Sequence, residues 1–180
     1  YEETYGESEA AAPEDLYAVR RKTASELIDF IKANPDGFTV DIDGTGVPAR
    51  GYAVAPVKEA EVSIAADELT EGLIDSFLRN LRSLEELGGD TIYMGGWLNE
   101  ADAKYYLDGV HVYADLDTAL YVAGAADQIA IFDLGEFNEI NTTEGIASLK
   151  EAGTYSSRRY EEFRRTQANT ARQFEEGRRA

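Results

Sequence analysis

Apolar residues recur at helical spacing in two stretches of the chain. Leu16, Val19, Leu27, Phe30 and Ile31 share one face of a helix that Pro13 opens, with Glu14 and Asp15 at its positive end. Asn34-Pro35-Asp36-Gly37 closes it as a turn. The stronger stripe is Leu73, Ile74, Phe77, Leu78, Leu81, Leu84 and Leu87, capped by Thr70 and stopped by Gly88-Gly89-Asp90. Between these helices Phe38–Ile42, Gly51–Ala55 and Ala60–Ile64 predict short strands.

Thr91–Leu98 and Lys104–Val112 predict a hairpin around the turn at Asn99–Asp102, and Asp117 caps a short helix reaching about Ala126. Gln128–Leu134 is so apolar that it is expected at the centre of the sheet. After Asn141-Thr142-Thr143 the pattern fades. A last helix begins near Ser156, with Tyr160, Phe163, Ala171 and Phe174 along one side. The sum is an α+β fold: a mostly antiparallel sheet, two or three packed helices and a C-terminal helical arm. Three parts are expected: an acidic arm over residues 1–12, the α+β domain over 13–145, and an Arg-rich arm over 146–180.

Charge sharpens that division. Residues 1–18 hold six carboxylates and no base, and residues 19–145 hold 24 acids against nine bases. Residues 146–180 reverse the sign, with eight bases against five acids, in a chain whose net charge is −18. Such acidity works against binding to nucleic-acid phosphates, so neither nucleic acid nor membrane is an expected partner. Most of it reads as solvated surface; mimicry of a nucleic-acid surface, making the chain an acidic inhibitor of a host DNA-binding protein, is the sharper alternative. At 180 residues and 43% hydrophobic content the chain can build a core, and no apolar run reaches the length of a membrane-spanning helix. No basic-then-apolar leader is present, and Tyr1 suggests a piece of a longer protein. Without cysteine there are no disulfides, thiolate metal sites or thiol nucleophiles.

Several motifs invite chemistry. Val40-Asp41-Ile42-Asp43-Gly44-Thr45 resembles the D-x-D-G-T signature of the haloacid-dehalogenase phosphohydrolases, in which two aspartates attack phosphorus and transfer protons beside Mg²⁺. A strand–turn–strand meander follows it instead of a βα unit, Lys58 precedes the helix it should accompany, and a turn explains the same letters. An EF-hand is excluded because its bidentate Glu position falls on Tyr52. Ile92-Tyr93-Met94-Gly95-Gly96-Trp97 lacks the Arg of an ADP-ribosyltransferase strand. It reads as a bulge or close backbone approach, with Trp97 covering the core. His111, the single histidine, belongs to an alternating strand. Asp108 and Asp133 end apolar runs, where a carboxylate is costly unless paired or capping. With Trp97, Tyr106 and Gln128 they form the candidate pocket. No catalytic, cofactor-binding or metal-binding residue is assigned, and no cofactor is expected.

The tail is the candidate partner-binding element. Arg158, Arg159, Arg164 and Arg165 alternate with acids at pairing distance, while Tyr160, Phe163 and Phe174 would be exposed on a free helix. Docking on the acidic body or on a neighbouring subunit is therefore expected.

Gly51-Tyr52-x-Val54, Gly95-Gly96-Trp97, Tyr106-Leu107-Asp108, Asp115-x-Asp117-x-Ala119 and Gln128-x-Ala130-Ile131-Phe132-Asp133 run in an order that resembles an accessory module of phages and prophages. The resemblance covers roughly residues 36–143, and Gly109-Val110-His111 departs from the pattern. That family has no settled activity, so the resemblance implies a context and no catalytic residues. It implies a non-catalytic, virion-associated structural or interaction module, located in the virion or the host cytoplasm, whose partners are proteins: other subunits of an assembly or itself. A ligand-binding or enzymatic domain built on the candidate pocket is the main alternative.

Overall fold

The computed structural model describes residues 21–179. The expected acidic arm, Pro13, Leu16 and Val19 lie outside them. The first described helix, α1 (Ala24–Ala33), starts at a capping box: Thr23 Oγ1 accepts from Glu26 N at 3.2 Å, and Glu26 Oε1 accepts from Thr23 N at 3.3 Å. Of the helix expected to begin at Pro13, only the part from Ala24 is among the described residues; residues 21–23 are non-helical, and Thr23 takes up a free amide of the first turn.

Seven antiparallel strands follow: β1 (Phe38–Asp41), β2 (Tyr52–Val54), β3 (Val62–Ala65), β4 (Tyr93–Asn99), β5 (Lys104–Tyr113), β6 (Ala130–Asp133) and β7 (Asn138–Asn141). The remaining helices are α2 (Glu71–Gly88), α3 (Leu116–Ala125), α4 (Thr142–Glu151) and α5 (Ser157–Arg179). The α+β class holds. The strand order is β1-β4-β5-β2-β6-β7, and β3 also pairs with β5. Ten-residue β5 is the spine. It carries β4 along one edge, β3 beside Lys104–Leu107 on the other, and β2 beside His111–Tyr113.

Strand β6 is not central, as its apolar run suggested; it is next to the edge strand β7. Its two-sided apolarity has another cause. Ile131 packs under α3, whereas Phe132 joins a small cluster on the opposite face with Ala53, Ala55 and Val110. The flanking Ile129 is 82% exposed.

All described helices lie on one side of the sheet and make two apolar clusters. In the first, Leu27 and Ile31 of α1 and Ile74, Phe77, Leu81 and Leu84 of α2 cover Val40, Met94 and Leu107. The approach of α2 is close: a Cβ on Gly109 would lie 2.7 Å from Leu81 Cδ2, so a larger residue there would have to push the Leu81 side chain aside. In the second, Leu120, Tyr121 and Ala123 of α3 and Leu149 of α4 cover Val54 and Ile131. The cap of α3 is Asp115, two residues before the expected Asp117; its Oδ2 accepts from Thr118 N at 3.2 Å and Thr118 Oγ1 at 2.6 Å.

Helix α5 joins the two clusters. At 23 residues it is about 35 Å long. Tyr160 and Phe163 pack against the second cluster, while Ala171 and Phe174 are buried in the first. Arg159 lies over the rings of Tyr121 and Phe163, at 5.0 and 6.0 Å from their centroids, and Arg178 Nη1 donates to Glu59 O at 2.8 Å. The aromatic stripe of the tail is thus covered by the body of its own chain.

Candidate functional site

The side of the sheet opposite the helices carries Thr39 and Asp41 of β1, Tyr93 and Trp97 of β4, and Tyr106, Asp108 and Val110 of β5. Period-two alternation and strand register place them together. Its small apolar cluster contains no residue from a described helix. Trp97 stands directly opposite Tyr106, and their rings stack at 5.4 Å with 21° between planes. Instead of covering the core, Trp97 is 47% exposed, because parity puts Met94 on the core side and Trp97 on the other.

Gly95-Gly96 forms no bulge; both residues keep register with β1 and β5. Close approach explains them. A Cβ on Gly96 would come within 2.6 Å of Leu107 Cδ2 and 2.8 Å of Phe38 Cζ, and one on Gly95 within 2.8 Å of Asp108 Oδ1. The carboxyl of Asp108 therefore lies across the backbone of Gly95. Protein atoms crowd it, part of its surface still meets solvent, and among the described residues no donor hydrogen-bonds to it. Lost hydration, with Glu61 adding repulsion, pushes its pKa up to about 7. The Tyr106 hydroxyl donates to the carboxylate of Asp102, and this bond to a negative acceptor raises the phenol's pKa.

Trp97, Tyr106 and Asp108 thus share one face, and the other two pocket candidates are elsewhere. Asp133 lies in register with Tyr52, on the helix side, and its Oδ1 accepts from Gly135 N at 3.0 Å and Glu136 N at 3.1 Å, closing the β6–β7 turn. Gln128 ends the loop after α3, where its buried Nε2 has no hydrogen-bond partner among the described residues. Among the described residues the best-formed depressions are shallow, of about 110 and about 240 Å³, and none of the five residues lines either. His111 lines the smaller, beside Asp90 and Gln167, with Nδ1 2.9 Å from Thr91 O.

The D-x-D-G-T segment is a turn. Asp41 Oδ1 accepts from Asp43 N at 3.1 Å and Thr45 N at 2.8 Å, and Oδ2 accepts from Thr45 Oγ1 at 2.6 Å. Asp43 pairs with Arg21 at 3.3 Å and Arg82 at 3.2 Å. Both aspartates are thereby engaged, and among the described residues no group of three acidic or histidine side chains is placed to hold a metal. Asp41→Ala removes three bonds at once and is expected to lower stability by about 1–3 kcal/mol. Chemical denaturation with unchanged m-value checks this, since the loss is local.

Of the tail candidates, Tyr160, Phe163 and Phe174 pack on the body and Arg159, though exposed, lies over the Tyr121 ring, whereas Arg158, Arg164 and Arg165 are exposed away from it. Sequence reasoning missed the Trp97–Tyr106 stack. The expected turn over Asn99–Asp102 would set Trp97 opposite Lys104; the turn lies one residue further on, over residues 100–103, where Asn99 pairs with Lys104 and Trp97 therefore stands opposite Tyr106. No protein family matches the chain, and no curated protein or solved structure matches it significantly.

Proposed function

We propose that the chain is a non-catalytic interaction module of the phage structural type, acting through protein–protein contacts on the Trp97 face of its sheet. One observation carries this reading: a stacked Trp–Tyr pair stands exposed on a sheet face that no described helix covers. Exposed aromatics set among polar groups are the usual anchors of protein interfaces. The two depressions are smaller than the roughly 300–1,000 Å³ of small-molecule pockets. The motif order adds the phage context, and its residues have structural duties here: Asp115 caps α3, and Gly95-Gly96 lets side chains lean over β4.

Trp97→Ala tests the reading. The half-exposed indole contributes little to the fold, so far-ultraviolet circular dichroism should be unchanged. The variant should be lost from purified virus particles that retain the wild-type chain, as judged by mass spectrometry. Undiminished retention would remove the face from its proposed role. A ligand-binding or enzymatic reading has one observation in its favour, the carboxyl of Asp108 titrating near neutrality beside two aromatic rings.

A further inference from the structure

Where α5 crosses from one apolar cluster to the other, the helix side of the sheet keeps a seam. It is the smaller of the two depressions, of about 110 Å³. Strand β5 supplies His111 and Tyr113, which share the helix side with Leu107 by parity. Leu84 of the first cluster and Val122 of the second line it, and α5 adds Phe163 and Gln167.

The chemistry of this seam is one-sided. Asp90 is exposed and is the one formally charged residue lining it, with no lysine or arginine beside it. His111 Nδ1 stands 2.9 Å from Thr91 O, so the neutral ring carries its proton there and leaves Nε2 as an acceptor. Helix α2 ends at Gly88, another lining residue, and brings the negative end of its dipole to the seam. Lost hydration, with the charge of Asp90 nearby, pushes the Tyr113 phenol up to about 12. Among the described residues neither the Asp90 carboxylate, the Tyr113 hydroxyl nor the Gln167 amide has a hydrogen-bond partner. The Tyr113 and Phe163 rings add π faces, which attract cations.

Size narrows the ligand further. A cavity of about 150 Å³ admits benzene, so this one admits roughly four heavy atoms. We propose that the seam binds a small primary amine as its ammonium ion, with Asp90, His111 Nε2 and the Gln167 amide oxygen as acceptors. Three acceptors match the three N–H donors of such a group, and the apolar walls suit a short alkyl stem. Net charge of −18 draws cations toward the chain in general, and the seam selects among them by hydrogen bonding. The site is on the helix side and uses no residue of the Trp97 face, so it stands or falls apart from the interaction reading.

His111 is the sole histidine, so its ring protons give an NMR signal that reports directly on the seam. The full chain is titrated at constant ionic strength and about pH 8, where a free imidazole is neutral and an alkylammonium is charged. Propylammonium should shift the His111 signal saturably. Propanol keeps the stem without the charge, and tetramethylammonium keeps the charge without the N–H donors; each should bind about tenfold more weakly or worse. Asp90→Asn, at an exposed position, should leave circular dichroism unchanged and weaken propylammonium about tenfold or more. A lysine blocked at both backbone ends separates the sources: binding equal to propylammonium assigns the ammonium to a protein side chain, weaker binding to a free amine, and both keep the site. No shift with propylammonium, equal binding of propanol or tetramethylammonium, or undiminished binding by folded Asp90→Asn would each overturn the proposal.

Discussion

Phe174→Ala should lower the stability of the domain by about 3–5 kcal/mol, the range for truncating a buried phenylalanine. The ring is 2% exposed and lies in the first apolar cluster, with Arg178 over it at 5.5 Å from the centroid. The loss should exceed that of Phe163→Ala, because Phe163 is only partly buried. Truncation at Phe174 also frees the C-terminal half of α5. Hydrogen exchange should then show amides from Ala171 onward opening ahead of those near Tyr160, which remain held by the second cluster. Equal loss of protection along the whole helix would show that α5 does not bind the two clusters separately.

Asp108→Asn should stabilise the protein by about 2 kcal/mol at pH 8. The sign follows from its raised pKa of about 7. The folded state holds the proton more tightly than the unfolded chain, where the carboxyl titrates near its ordinary 3.8. Stability is therefore full below the unfolded value and falls as pH rises, with the loss complete above about 7. A shift of this size corresponds to about 4 kcal/mol, and partial access to water reduces it to about half. The amide does not ionise, so the advantage of the variant should vanish near pH 4. Thermal melts of both proteins across pH 4–8 check it; a difference that stays constant with pH would remove burial of the charge as the cause.

Much of the fold was legible because apolar spacing and turn chemistry agreed. Helix α2 has a full apolar stripe, a threonine cap and a glycine stop, and the β4–β5 hairpin has its turn residues in place. Strand β7 was illegible because Ile140 is its one apolar residue. Helix α4 was missed for a similar reason: Leu149 is its one buried apolar residue, leaving the Asn141 cap, whose Oδ1 accepts from Glu144 N at 2.9 Å, as the main signal. The expected boundary at residue 145 consequently cut through that helix.

The candidate site was legible by half. Tyr106 and Asp108 share parity on one strand, and the hairpin register brings Trp97 to them. Asp133 has the opposite parity relative to the sheet, which depends on the β2–β6 pairing and on no local pattern. The charge reversal at the C-terminus did mark a real boundary in surface chemistry. It did not mark one in packing, because the aromatics of α5 follow the clusters while its arginines follow the solvent.

The way α5 spans the sheet also sets an order of events. The second cluster draws mostly on residues from Tyr113 to Phe163, close together in sequence, with only Tyr52 and Val54 brought from further away. The first cluster is completed by Ala171 and Phe174, roughly a hundred residues after α2 begins, and Arg178 reaches back across 119 positions to Glu59. Loop closure over such a span is slow, and on a growing chain it waits for the last helix to emerge. Until then α1 and α2 keep part of their apolar surface open to water. The first cluster, larger than the second and started earlier, is thus the one sealed last.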